Sequence, residues 1–113
     1  MNDDAMFKLS SLDEVNAFIE QNPLSFLYIS RKDCGVCHAL LPQLEKLLEN
    51  DFRIALGLID AEEVKEIAGR FSVFSVPALL FFVEGKEFLR QTRFVHTDLL
   101  KEKINKIVGL YGK

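Results

Sequence analysis

The chain has no Trp, only two Cys and three Pro, and no apolar run approaching the ~18 residues that span a bilayer. Its longest apolar stretch, Val76 to Val83, has the length of a strand. Two cysteines cannot build a disulfide framework, so a disulfide-scaffold fold is excluded. With three Pro and six Gly among 113 residues, collagen-like and disordered compositions are excluded too. The amino-terminal Met1–Lys8 is acidic rather than basic and lacks the long apolar middle of an export signal, so a cytoplasmic location is expected. There is no basic excess: net charge is −3, which argues against nucleic acid as the default partner. What is present is ample core material, 49% hydrophobic residues with ten Phe. A chain of this length buries roughly two-thirds of its unfolded surface, enough for one domain. The domain is expected to use the whole of residues 1–113, with 1–5 frayed. Charge is unevenly spread: from Lys86 onward seven basic residues face three acidic ones, and fourteen of the seventeen acids precede it. This asymmetry biases docking or is simply a solvated surface.

The periodicity alternates strand and helix. Residues 5–9 suit a short edge strand. Ser11-Leu12-Asp13-Glu14 has capping-box spacing, and Leu12, Val15, Phe18 and Ile19 share one helical face until Asn22-Pro23 stops it. Leu24–Ser30 reads as a buried strand, and Leu40, Leu41, Leu44, Leu47 and Leu48 define a strong helix, in which Pro42 is expected to cause a kink just after the cysteine pair. Ile54–Ile59 is a third strand. A capping-box-like Asp60…Glu63 predicts a short helix carrying Val64, Ile67, Ala68 and Phe71, with Gly69 and a loop before Val76-Pro77. Ala78–Val83, a tight turn at Glu84-Gly85-Lys86, and a strand from Glu87 to about Val95 form a hairpin. Thr97-Asp98 then caps a helix aligning Leu100, Ile104, Ile107, Val108 and Tyr111. The fold class is α/β, one mixed sheet with a parallel βαβ half and an antiparallel hairpin half, flanked by helices.

Both cysteines lie in Cys34-Gly35-Val36-Cys37, at a strand-to-helix junction. At that spacing the sulfurs fall one helical turn apart and can close a small disulfide ring. Free amides at the helix start favour a thiolate on Cys34. Lowering a thiol pKa from about 8.5 to about 7 raises its ionised fraction at pH 7 from about 3% to about half. Arg31 and Lys32 assist; Asp33 opposes. Cys34 is then the exposed nucleophile, and Cys37 the resolving thiol one turn inside. Three other uses compete. The pair can be two small core residues. Cys34-Gly35-Val36-Cys37-His38 spells a covalent haem attachment, whose axial ligand would have to be Met1 or Met6. Cys34, Cys37, His38 and His96 supply metal-ligand types without a second paired motif.

These residues resemble the thioredoxin family across nearly the whole chain. The resemblance rests on the Cys34–Cys37 motif after a buried strand, Pro42 five residues beyond it, Val76-Pro77 opening a later strand, Gly85 in the hairpin, and the closing helix. From spacing alone Pro77 is merely a strand-start proline. The resemblance instead implies a cis Pro77 against the active site, with Gly35, Val36, Val76 and Pro77 receiving an extended substrate segment. It implies thiol–disulfide exchange with a disulfide-bearing protein or small molecule, recharging by a reductase or thiol pool, and no cofactor or metal beyond the Cys34–Cys37 disulfide. The chain departs from the family at several positions. Asp33 stands where an aromatic Trp precedes the first cysteine, and Gly35-Val36 replaces Gly-Pro. Tyr28 occupies the position of the buried acid and Leu56 that of the nearby lysine. Tyr28 is a poor proton acceptor. His38 or water is left to take the Cys37 proton, unless His38 is a surface bystander. Arg93-Phe94-Val95-His96 fills the loop before the last helix, so Phe94 either shapes the substrate groove or joins the core. A peptide-binding module on the same fold, with a groove at Val76, Pro77 and Phe94, is the alternative function.

Overall fold

Ser11 begins the first helix as expected: its Oγ accepts the Glu14 N–H at 3.1 Å, while Glu14 reaches back to the Ser10 N–H at 2.8 Å. This computed structural model describes residues 6–49, 51 and 53–111. The fraying expected for residues 1–5 lies outside them, as does Met1.

The elements follow in order: β1 (Met6–Leu9), α1 (Leu12–Gln21), β2 (Leu24–Ser30), α2 (Gly35–Leu48), β3 (Ile54–Asp60), α3 (Ile67–Phe71), β4 (Ala78–Val83), β5 (Lys86–Thr92) and α4 (Thr97–Tyr111). They form one five-stranded sheet in the order β1-β3-β2-β4-β5. β1, β3 and β2 are parallel; β4 and β5 run antiparallel. β2 is central and buried on both faces, which explains its unbroken apolar run. Alternation along β2 divides the core. Leu24, Phe26 and Tyr28 face a cluster with Leu40, Leu44 and Leu48 of α2 and Leu100, Ile104 and Val108 of α4. Leu27 and Ile29 face the opposite cluster with Val15, Phe18 and Ile19 of α1 and Ile67 and Phe71 of α3.

Gly57 lets α1 and β1 close on β3. A Cβ there would stand 2.7 Å from Leu9 Cδ1 and 3.0 Å from Phe18 Cε2. The hairpin turns on Glu84 and Gly85, both at positive φ (52° and 82°), the backbone of a two-residue turn matched to strand twist.

Several expectations are corrected. The helix after β3 is only five residues long. The Asp60 carboxylate takes the Glu62 N–H at 2.8 Å, its carbonyl takes the Glu63 and Val64 N–H groups, and the chain runs through turns that drop Val64 into the core before helix begins. Gly69 lies inside α3, which is ended after Phe71 by Ser72 in a left-handed conformation. β5 stops at Thr92, not near Val95, because Arg93 (φ 70°) turns the chain off the sheet and the Phe94 N–H bonds the Thr92 carbonyl. Helix α2 runs through Pro42 as a single element. Tyr111 is not core but surface, donating its hydroxyl to Glu84 Oε2 at 2.7 Å.

Candidate active site

Strand β2 ends at Ser30, beside Asp60 of β3, and a tight turn closed by Cys34 N–H to the Arg31 carbonyl (3.2 Å) delivers Cys34 to the start of α2. Cys34 is the N-cap: its backbone is extended, and its sulfur accepts the Cys37 N–H at 3.2 Å. An amide that has no helical acceptor is thus aimed at this sulfur, which is the geometry that favours a thiolate. The pair is bonded as a disulfide, with Cα atoms 5.3 Å apart. Cys37 is 1% exposed and sits among Tyr28, Leu40 and Leu44, whereas Cys34 is half-buried. Only the Cys34 sulfur is positioned for attack from outside.

The flanking residues divide clearly. Asp33 is exposed, and Arg31 Nε lies 3.4 Å from its carboxylate, offsetting the charge that opposes a thiolate. Gly35 and Val36 are exposed on the first turn of α2. His38 is exposed and its Nε2 lies 2.9 Å from the Lys32 carbonyl; since a carbonyl only accepts, that nitrogen is the donor. Across the sheet, Ile29 of β2 pairs with Ala78 of β4, so Val76 and Pro77 lie beside the turn that carries Cys34. The Val76–Pro77 bond is cis. Pro77 is buried, and Val76 is half-buried against both core clusters.

Tyr28 is 2% exposed and donates its hydroxyl to the Cys37 carbonyl. Burial pushes its pKa up to about 12. It is therefore a donor that ties β2 to the first turn of α2, and it takes no proton from Cys37. Leu56 is 2% exposed in the same cluster. Among the described residues no carboxylate or lysine is buried; Ser25 alone is polar and buried, with its hydroxyl on the Asn22 carbonyl. The site therefore has no inward proton acceptor.

Two readings of the sequence are revised here. Phe94 is 75% exposed and so is not a core residue. His96 is not assembled with Cys34, Cys37 and His38: among the described residues, no three His, Cys, Asp or Glu side chains are grouped to hold a metal. Phe74, two residues before Val76 and 83% exposed, was not singled out from sequence. An aromatic residue between Val73 and Ser75 in a short loop was the available signal. Arg90 was also missed. Its guanidinium holds both oxygens of Glu87 (2.9 and 2.8 Å) and bonds the Phe71 and Ser72 carbonyls, tying the end of α3 to β5.

Comparison with known proteins is decisive. Residues 8–106 match the family model described as Thioredoxin. The chain belongs to the thioredoxin family. It is 52% identical over 106 residues to the thioredoxin-like protein YdfQ of Bacillus subtilis (strain 168), covering 94% of this chain and 95% of that protein. It is 30% identical to the thioredoxin of Chlamydia pneumoniae, covering 89% and 98%. Among solved structures it is similar to thioredoxin from Trypanosoma brucei brucei, with a TM-score of 0.83 at 17% identity over 92% of this chain and 91% of that one. A mutant thioredoxin from Halobacterium salinarum NRC-1 gives 0.82 at 24% identity over 94% and 93%. These structures support the mixed five-stranded sheet flanked by helices. Thioredoxins act through a redox-active disulfide without a cofactor, and family membership with the Cys34–Cys37 pair places this chain among thiol–disulfide oxidoreductases in general. Among the described residues no helix is long and apolar enough to cross a membrane.

The buried phenol makes one prediction here. Because the folded state raises the Tyr28 pKa above its unfolded value near 10, its contribution to stability is present below pH ~10 and is lost as pH rises toward 12. The loss is on the order of 2 kcal/mol. Tyr28→Phe, compared with wild type by urea unfolding at neutral and alkaline pH, is expected to flatten this limb. An unchanged alkaline loss in the variant contradicts the assignment.

Proposed function

We propose that this protein is a single-domain reductant of protein or small-molecule disulfides, acting in the cytoplasm. The observation that carries this reading is the asymmetry of the pair: Cys34 is half-buried at the helix start with the Cys37 amide on its sulfur, and Cys37 is buried one turn behind. In the reduced protein the Cys34 thiolate attacks one sulfur of the substrate disulfide. A mixed disulfide forms and one substrate thiolate leaves. Cys37 loses its proton and attacks the Cys34 sulfur, which releases the second substrate thiolate and leaves Cys34–Cys37 oxidised. Two electrons pass to the substrate, whose thiolates take up protons. A reductase or thiol pool returns the electrons.

Val76 and Pro77, with Gly35 and Val36, form the ledge for an extended substrate segment, whose main chain pairs beside β4. Asp33 and Arg31 set the charge at the rim. With Tyr28 committed to the Cys37 carbonyl and no buried acid among the described residues, the Cys37 proton leaves toward solvent on the Cys34 side, where water or the exposed His38 one residue along α2 takes it.

The test is a redox titration of the pair against glutathione or dithiothreitol, with Cys34→Ser as control. A reversible two-electron transition near or below about −230 mV is expected for a reductant. A potential near about −120 mV would reverse the direction and argue against the cytoplasm. No reversible pairing would replace the redox reading with that of a peptide-binding module.

A further inference from the structure

A covalent bond closes the cysteine pair in this structure, and that bond is open in the form that attacks a substrate. Hydrogen bonds are then left to hold the Cys34 turn against α2. The Cys34 N–H donates to the Arg31 carbonyl at 3.2 Å, and the His38 N–H donates to the Cys34 carbonyl at 3.3 Å. The Cys37 N–H reaches the Cys34 sulfur at 3.2 Å. The fourth bond comes from a side chain. Nε2 of His38 donates to the Lys32 carbonyl at 2.9 Å, across six residues. It encloses residues 34–37 and uses neither sulfur, so it does not depend on the disulfide.

The first turn of α2 needs such an outside anchor. Pro42 lies inside the helix and has no N–H, so the His38 carbonyl lacks the donor four residues on. Gly35, at the first helical position, and β-branched Val36 are poor helix formers. Tyr28 anchors this turn from the sheet side through the Cys37 carbonyl, which fixes Cys37 but not the chain before Cys34. Arg31 and Asp33 pair with each other inside the preceding turn, 3.4 Å apart. Among the described residues, His38 is the one side chain of α2 besides Cys37 that bonds the segment carrying Cys34. Both the Nε2–H tautomer and the imidazolium supply the donor, so the bond survives a change in the charge of the ring.

We propose that His38 is a positioning residue, whose Nε2–H holds the Lys32–Cys34 turn on α2 while the disulfide is open. The sulfur of Cys34 stays at the helix start, where the Cys37 amide favours its thiolate; that favourable field falls off within the first turn. The assignment rests on the reductant reading and deepens it. The bond-exchange steps remain with the two cysteines, and His38 acts through Cys34.

The experiment compares His38→Gln, His38→Asn and His38→Leu in the reduced full-length protein. The Gln amide nitrogen stands as many bonds from Cα as Nε2 of histidine, whereas that of Asn stands only as far as Nδ1. All three side chains are neutral and none is a base, so their ranking reports the donor alone. The readout is the rate of Cys34 alkylation by iodoacetamide at neutral pH, with the label located by mass spectrometry. His38→Gln is expected to react about threefold faster than either His38→Asn or His38→Leu, the effect of one solvent-exposed hydrogen bond. Equal rates in the three variants overturn the proposal. If they match wild type, the contact is idle; if all fall below it, the imidazole acts by its charge or as a base. Failure of the wild-type protein to reduce hydroxyethyl disulfide is read separately, and overturns the reductant reading on which the assignment rests.

Discussion

Cys34→Ser is expected to bring disulfide reduction down to the uncatalysed rate, whereas Cys37→Ser retains attack and stops at the next step. The reason lies in the geometry of the pair. The Cys34 sulfur caps α2 and accepts the Cys37 N–H, so it is the sulfur that both reaches a substrate and is favoured as a thiolate. A serine hydroxyl is weakly acidic and cannot form the mixed disulfide. Cys37 is 1% exposed and is reached only by the neighbouring sulfur. With Cys37 replaced, nothing resolves the mixed disulfide at Cys34, and the covalent adduct with a peptide substrate is expected to accumulate. Mass spectrometry of the quenched reaction reads it directly. An adduct on Cys37 in the Cys34→Ser protein, or undiminished product release from Cys37→Ser, would reverse the two roles.

Phe26→Ala is expected to produce the largest loss of stability. Phe26 is fully buried on central β2, and its ring lies 5.7 Å from that of Phe81 on β4. Truncation removes most of a buried aromatic side chain and leaves a cavity between the sheet and the α2–α4 layer, at a cost of about 3–5 kcal/mol. That is a large part of the ~5–15 kcal/mol by which a domain is folded. The measurement is urea unfolding of both proteins with the disulfide kept oxidised, so that the cross-link is common to both. A loss below about 1 kcal/mol would mean that the α2 and α4 side chains close the space, and that the layer is less tightly packed than its burial indicates. Phe26 lies two residues before Tyr28 on the same face, and Tyr28 holds the first turn of α2. The redox potential of the variant therefore reports whether the loosened layer also releases Cys37.

Local signals in this chain are short-ranged, and they carried most of the architecture. Continuous apolar runs placed β2, β3 and β4 to within a residue, and the Ser11–Glu14 capping pattern located α1. The cysteine spacing after a buried strand identified the reactive pair, because helix geometry alone brings residues three apart onto one turn. The same reasoning overextended the helix after β3. There the Asp60 carboxylate bonds the Glu62 N–H, and local turns replaced the first helical turn. It also overextended β5, whose end is set by Arg93 turning to reach the carbonyl of Pro77, just before β4. The role of Tyr28 was legible only in outline. Its position under the pair was implied by the family resemblance, but its bond to the Cys37 carbonyl depends on how α2 lies across the sheet. Phe74 was unread, and Phe94 stood evenly between core and groove. By itself, then, the sequence determined the order of elements and the cysteine pair, which arise from contacts or periodicities within a few residues. The tertiary structure alone decided how the core divides into two clusters and what stands beside the pair. Val76 and Pro77 are far from Cys34 in sequence, and they come next to its turn only because β4 pairs with β2 in the strand order β1-β3-β2-β4-β5.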